Sequence, residues 1–221
     1  MMHGVIRAWS HVLIATTLVT AIAHSAETAV ARKTSPATAN DQTLLRPVSA
    51  FSKISDRAER SVALYKEASR VIESPRCLNC HPVTRTPTQG DDLHTHNPLI
   101  RADNEGHGPP GLPCSTCHQA QNTPTNVTPI ESIPGHAHWA LAPPSMGWQG
   151  KTSGEICLQI KDPARNGGRD LKKIHEHMAV DTLVGWAWHP GAGRKSAPGT
   201  QKVFGELIAA WIESGAVCPT P

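Results

Sequence analysis

The chain has 221 residues, 18% of them charged and 4% aromatic, with a formal net charge of +3. So mild a charge argues against a nucleic-acid or membrane-surface role. The length allows one ordinary domain, or two small ones if each has a cofactor to fold around.

Arg7 precedes an apolar, uncharged run from Val12 to Ala23, and Ala21-Ile22-Ala23 or Ala23-His24-Ser25 offers a small-residue cleavage site. Residues 1–25 therefore read as a secretory signal peptide, with an uncleaved anchor as the rival. The run falls short of the roughly 20 residues needed to span a bilayer. A periplasmic protein with no stable membrane span in the mature chain is expected. Residues 26–50 are polar and aperiodic, which predicts a flexible linker ahead of a body over 51–221.

A helix should follow. Ser55 or Asp56 can cap it, Glu59 stands three positions after Asp56, and Ala58, Val62, Tyr65, Ala68 and Ile72 recur at helical spacing. Ser74-Pro75 should end it just before Cys77-Leu78-Asn79-Cys80-His81, a C-x-x-C-H motif that recurs as Cys114-Ser115-Thr116-Cys117-His118. That motif is the signature of covalent c-type haem attachment. Two cysteines three positions apart fit one helical turn, from which their sulfurs reach the two porphyrin vinyl groups, and the next histidine becomes the proximal iron ligand. Two C-x-x-C pairs also suit a zinc ribbon. A histidine directly after both pairs favours two covalently bound haem c groups.

From Pro82 to Gly150 the chain turns to proline, glycine and histidine, with 11 of the 19 prolines, so irregular loops wrapped round a cofactor are predicted rather than sheets. Candidates for the second axial ligand are His94, His96, His107, His136, His138, His175, His177, His189, Met146 and Met178. His96 and His138 lie in loops that can fold back over an iron and are the first choice. His177 comes next, and Met146 is the thioether option. The surplus of histidine favours bis-histidine ligation, which lowers a reduction potential relative to His/Met.

Beyond Gly150 a short helix opens at Ser153-Gly154-Glu155 and carries Cys157 and Ile160. Asn166-Gly167-Gly168 is a turn. A helix from Arg169 to about Val184 places Leu171, Ile174 and Met178 on one face. Thr200 caps a last helix with Val203, Phe204, Leu207, Ile208 and Trp211 as its buried stripe, stopped by Gly215. No strand shows a convincing alternation. The predicted fold is mainly α with extensive coil, helices packed around two haems in a cytochrome c-type arrangement. Cys157 and Cys218 remain outside the motifs, and an oxidising compartment makes them a disulfide, with free buried thiols as the alternative.

The stretches Thr88-Gln89-Gly90-Asp91-Asp92, Pro113 to Gln119, His138-Trp139-Ala140-Leu141-Ala142-Pro143, Lys161 to Gly168 and Gly185 to Gly191 resemble a family of exported bacterial dihaem proteins often labelled "isoquinoline 1-oxidoreductase subunit". The resemblance covers about residue 60 to the end. The label implies a molybdenum hydroxylase partner that passes electrons outward. The chain lacks the length for a molybdopterin domain and the cysteines for an iron–sulfur cluster, so it would be the electron-accepting cytochrome rather than the catalytic subunit. The expected role is a periplasmic relay of single electrons from a dehydrogenase to a later acceptor. A dihaem peroxidase using the acid pair Asp91-Asp92, or a haem-based sensor, is the alternative, and each needs an open iron position.

Overall fold

A computed structural model describes residues 44–128 and 130–221. The expected signal peptide, and the expected linker up to residue 43, lie outside the described residues. The rest of that linker is packed. Leu45 is buried, Val48–Phe51 forms a 3₁₀ turn that buries Phe51, and Arg46 donates through Nε to Glu67 at 2.6 Å. Residues 44–50 thus belong to the folded body, because Leu45 reaches the core and Arg46 meets a buried carboxylate.

The described residues are mainly helical. Helix α1 (Arg57–Ile72) starts where expected, with Asp56 Oδ1 accepting from Glu59 N at 2.8 Å. Its buried face differs from the predicted stripe. Ala58 is exposed and Val62 half-buried, while Ser61, Leu64, Tyr65, Ala68, Val71 and Ile72 are buried. Ser61 belongs there because its hydroxyl donates to Trp211 O and accepts from Val217 N. Glu67 is buried too, between Arg46 and Arg70.

A four-residue helix α2 (Pro75–Leu78) follows at once, with Pro75 at its first turn where a missing N–H costs nothing. Between it and α3 the chain is coil, 3₁₀ turns and two antiparallel ladders of two residues a strand: β1 (Thr88–Gln89) with β2 (His94–Thr95), and β3 (Thr123–Pro124) with β4 (Ser132–Ile133). The proline-rich composition predicts loops rather than sheets here. Two residues are too few for an alternating pattern to be read.

Helix α3 (Ser153–Lys161) carries a reciprocal capping box between Thr152 and Glu155. The helix expected over 169–184 is two helices, α4 (Leu171–Val180) and α5 (Thr182–Gly185), with a 3₁₀ turn at Trp186–Trp188. The break falls at Asp181, whose Oδ1 accepts from Leu183 N at 2.8 Å and so caps a new helix. Helix α6 (Gln201–Glu213) is capped by Thr200 and buries Phe204, Leu207, Ile208 and Trp211.

Helix α6 packs against both α1 and α4. Tyr65 meets Trp211 with ring centroids 5.1 Å apart. A Cβ on Gly205 would lie 2.6 Å from Ala179 Cβ, so α4 and α6 approach more closely than any larger residue allows. Cys157 and Cys218 form the expected disulfide, tying the C-terminal segment to α3. No helix among the described residues is long and apolar enough to cross a membrane.

Candidate functional site

Both C-x-x-C-H motifs fold into the same single turn. At the first, Cys80 N and His81 N donate to Cys77 O at 3.1 Å each. At the second, Cys117 N and His118 N donate to Cys114 O at 3.2 and 2.9 Å. This turn puts both thiols of a pair and the histidine on adjacent positions, and all four thiols are free.

The two histidines are fixed in the same way. His81 Nδ1 lies 2.8 Å from Met146 O, and His118 Nδ1 lies 2.7 Å from Pro134 O. A carbonyl can only accept, so each Nδ1 carries the proton and each Nε2 is the lone-pair nitrogen, the tautomer a metal-ligating imidazole needs. Each ring also lies flat against an indole. His81 stacks on Trp148 at 3.5 Å and 7°, and His118 on Trp139 at 4.7 Å and 13°.

The segment from Ala142 to Gln149 wraps the first motif. Ala142 N donates to Cys80 O, Trp148 N to His81 O, and Gln149 Nε2 to Leu78 O. Desolvation there lowers the His81 pKa to about 4, against the pull of the Met146 carbonyl and helped by the charge of His177. Burial, and then the neighbouring Cys80, pushes the Cys77 thiol up to about 12; Cys80 rises to about 11 through burial.

The second motif is more open, and Cys117 is exposed. Beside it lies a cavity of about 380 Å³ lined by Cys114, His118, His107, His136, His138 and Trp139, among others. Burial lowers the His118 pKa, with the charges of His96 and Arg194 acting the same way. Asn122 joins this region to the helical body. Its Oδ1 accepts from Gly135 N at 2.9 Å and Trp186 Nε1 at 2.8 Å, and its Nδ2 donates to His189 O at 2.8 Å. Trp186 meets Trp139 edge-on at 5.0 Å.

The histidines expected opposite the irons separate clearly. His96 comes to His118, with ring centroids 5.9 Å apart, and its Nδ1 is held by Pro98 O at 2.7 Å. The charge of His177 acts on His81, and the Nδ1 of His177 is held by Asp181 Oδ2 at 2.9 Å. Both therefore keep Nε2 free. His138 is exposed on the cavity wall, its backbone N–H donating to His136 Nδ1 at 3.1 Å. Met146 lies on the Nδ1 side of His81, its side chain in the core, and serves the site through its carbonyl. Asp91 and Asp92 do not act as a pair. Asp91 is bound to Arg76 and Asp92 to His94.

Met146 O, Pro134 O and the two stacked tryptophans were not singled out in the sequence. The visible signal is weak: a tryptophan one or two residues after a candidate histidine or methionine. No group of three or more His, Cys, Asp or Glu side chains able to hold a bare metal ion occurs among the described residues, so the four motif cysteines do not converge as a zinc ribbon requires. The chain matches no family model, no curated protein and no solved structure.

Proposed function

We propose that the chain is a dihaem c-type cytochrome that relays single electrons, with Cys77, Cys80 and His81 holding one haem and Cys114, Cys117 and His118 the other. The observation that carries this reading is the duplicated histidine setting: Nδ1 on a backbone carbonyl, a flat indole behind the ring, and a second anchored histidine near by. A haem brings four nitrogens and one-electron chemistry of its own, so it asks the protein for one or two axial side chains where a bare zinc asks for four.

His177 is assigned as the second ligand at the His81 site and His96 at the His118 site. With two imidazoles per site no axial position is open, which favours electron transfer over a peroxidase or sensor. The engagement of Asp91 and Asp92 in separate ion pairs removes the acid pair that the peroxidase reading drew on. The resemblance to exported dihaem proteins supports a periplasmic location and a dehydrogenase, of the molybdenum hydroxylase class, as electron donor.

The test is spectroscopic. A pyridine haemochrome assay should give two c-type haems per chain, and the reduced protein should bind no carbon monoxide. His96→Ala and His177→Ala should each open one haem to the gas, and His138→Ala neither. Fewer than two haems, or gas binding by the unaltered protein, would overturn the proposal. Opening by His138→Ala in place of His96→Ala would move the second ligand to His138.

A further inference from the structure

Arg76 stands immediately before Cys77 on α2. Its side chain is 1% exposed, Nη2 donates to Asp91 Oδ1 at 2.6 Å and Gly90 O at 2.9 Å, and Nη1 has no hydrogen-bond partner among the described residues. Buried guanidinium protons are among the groups least often left unpaired. Such an atom on the residue next to Cys77 points to an acceptor that binds near by.

The local charge has the same sign of deficit. Arg76 is near enough for its charge to act on Arg194, which spends its own donors on neutral oxygens, the hydroxyl and carbonyl of Ser132 and the carbonyls of Pro190 and Ala192. Two guanidinium groups thus share one carboxylate, Asp91. An acceptor that is planar, singly negative and able to take a fork of N–H donors would balance them, and a carboxylate has that chemistry.

Resting on the dihaem reading, we infer that Arg76 Nη1 is a docking point for a porphyrin propionate. Two sources share this chemistry: the haem attached at Cys77 and Cys80, and the haem attached at Cys114 and Cys117. Arg194 feels the charge of Arg76 and itself acts on His118, so the cluster lies within reach of either site.

The experiment is a spectroelectrochemical titration of the holoprotein combined with redox-difference infrared spectroscopy in the carboxylate region. Arg76→Gln should lower the midpoint potential of one haem, since a lost positive charge disfavours the reduced state, and should shift one propionate band. Arg76→Lys should shift the same band while keeping most of the potential, because it retains the charge and loses the fork. Asp91→Asn, at a half-exposed position, should raise the potential of the same haem, and it decides the matter if Arg76→Gln does not fold. The haem whose potential moves identifies the source. Two haems in the unaltered protein, with both potentials and the band unmoved in these variants, overturns this inference alone. Absence of covalent haem overturns the dihaem reading with it.

Discussion

Gly135→Ala tests how the body of the protein holds the second site. Gly135 is buried beside Pro134, the residue whose carbonyl anchors His118. A Cβ on Gly135 would stand 2.5 Å from Gln119 O and closer still to Gln121 O, both backbone atoms that cannot swing aside. An ordinary contact begins near 3.4 Å, so the 134–135 segment must withdraw by at least roughly 0.9 Å. Taken along the 2.7 Å bond from His118 Nδ1 to Pro134 O, that opens it to about 3.6 Å, outside hydrogen-bond range. Overpacking costs about 1–3 kcal/mol and the lost bond about 1 kcal/mol more, so about 3 kcal/mol is expected. In a body of this size that lowers Tm by about 6–12 °C. Gly168→Ala is the comparison: its φ is +77° with nothing within 4 Å, so only about 1 kcal/mol of backbone strain is added. Thermal melts followed by circular dichroism give the stabilities, and carbon monoxide binding to the reduced protein reports the state of each haem. On the dihaem proposal, Gly135→Ala should loosen the haem at His118 and leave the haem at His81 intact. A melt within about 2 °C of the unaltered protein, with both haems closed to the gas, would refute the reasoning.

Glu67 should behave as a stabilising buried anion. Burial alone would raise its pKa, but hydrogen bonds from Arg46 N, Arg46 Nε and Arg70 Nη1 outweigh it and hold the carboxyl below the ordinary 4.5. Its contribution is therefore complete above pH 4.5 and is lost as pH falls through the lower native value. Glu67→Gln should cost about 1–3 kcal/mol at neutral pH, and the difference between the melts should shrink on acidification; a constant difference would contradict the assignment. Replacing Cys157 and Cys218 together by alanine opens a cross-link spanning 61 residues, worth about 4 kcal/mol of unfolded-state entropy, and should lower Tm by about 8–16 °C. A drop below about 3 °C would show that α3 and the C-terminal segment hold together without it.

The features legible in the sequence are those whose chemistry sits within a few residues. Asp56 and Thr200 cap helices because a short oxygen-bearing side chain meets a backbone N–H three residues on, and the helix expected to open at Ser153 has its cap one residue earlier, at Thr152. The repeated C-x-x-C-H turn is local in the same sense. The settings of His81 and His118 are not. Their anchors are carbonyls 65 and 16 residues away, and a carbonyl carries no residue identity that a pattern could reveal. His138 has the residue type of a ligand, but its neighbour Trp139 is the residue stacked on His118. Met146 offers a sulfur in the sequence and contributes its backbone oxygen in the fold. The break at Asp181 was missed because the apolar spacing of α4 continues plausibly into α5, and only the carboxylate's double engagement with Leu183 N and His177 Nδ1 marks the joint.

The six cysteine sulfurs of the chain fall into two sets. Cys157 is wholly enclosed and closed to the half-buried Cys218, whereas Cys117 stands at the surface and Cys77, Cys80 and Cys114 are half-buried free thiols. Thiol–disulfide exchange requires the attacking thiolate to reach the bond. On the dihaem proposal, a reductant can hold the four motif thiols reduced while the clamp on α3 stays shut, so haem attachment does not require loss of the cross-link that secures the last residues.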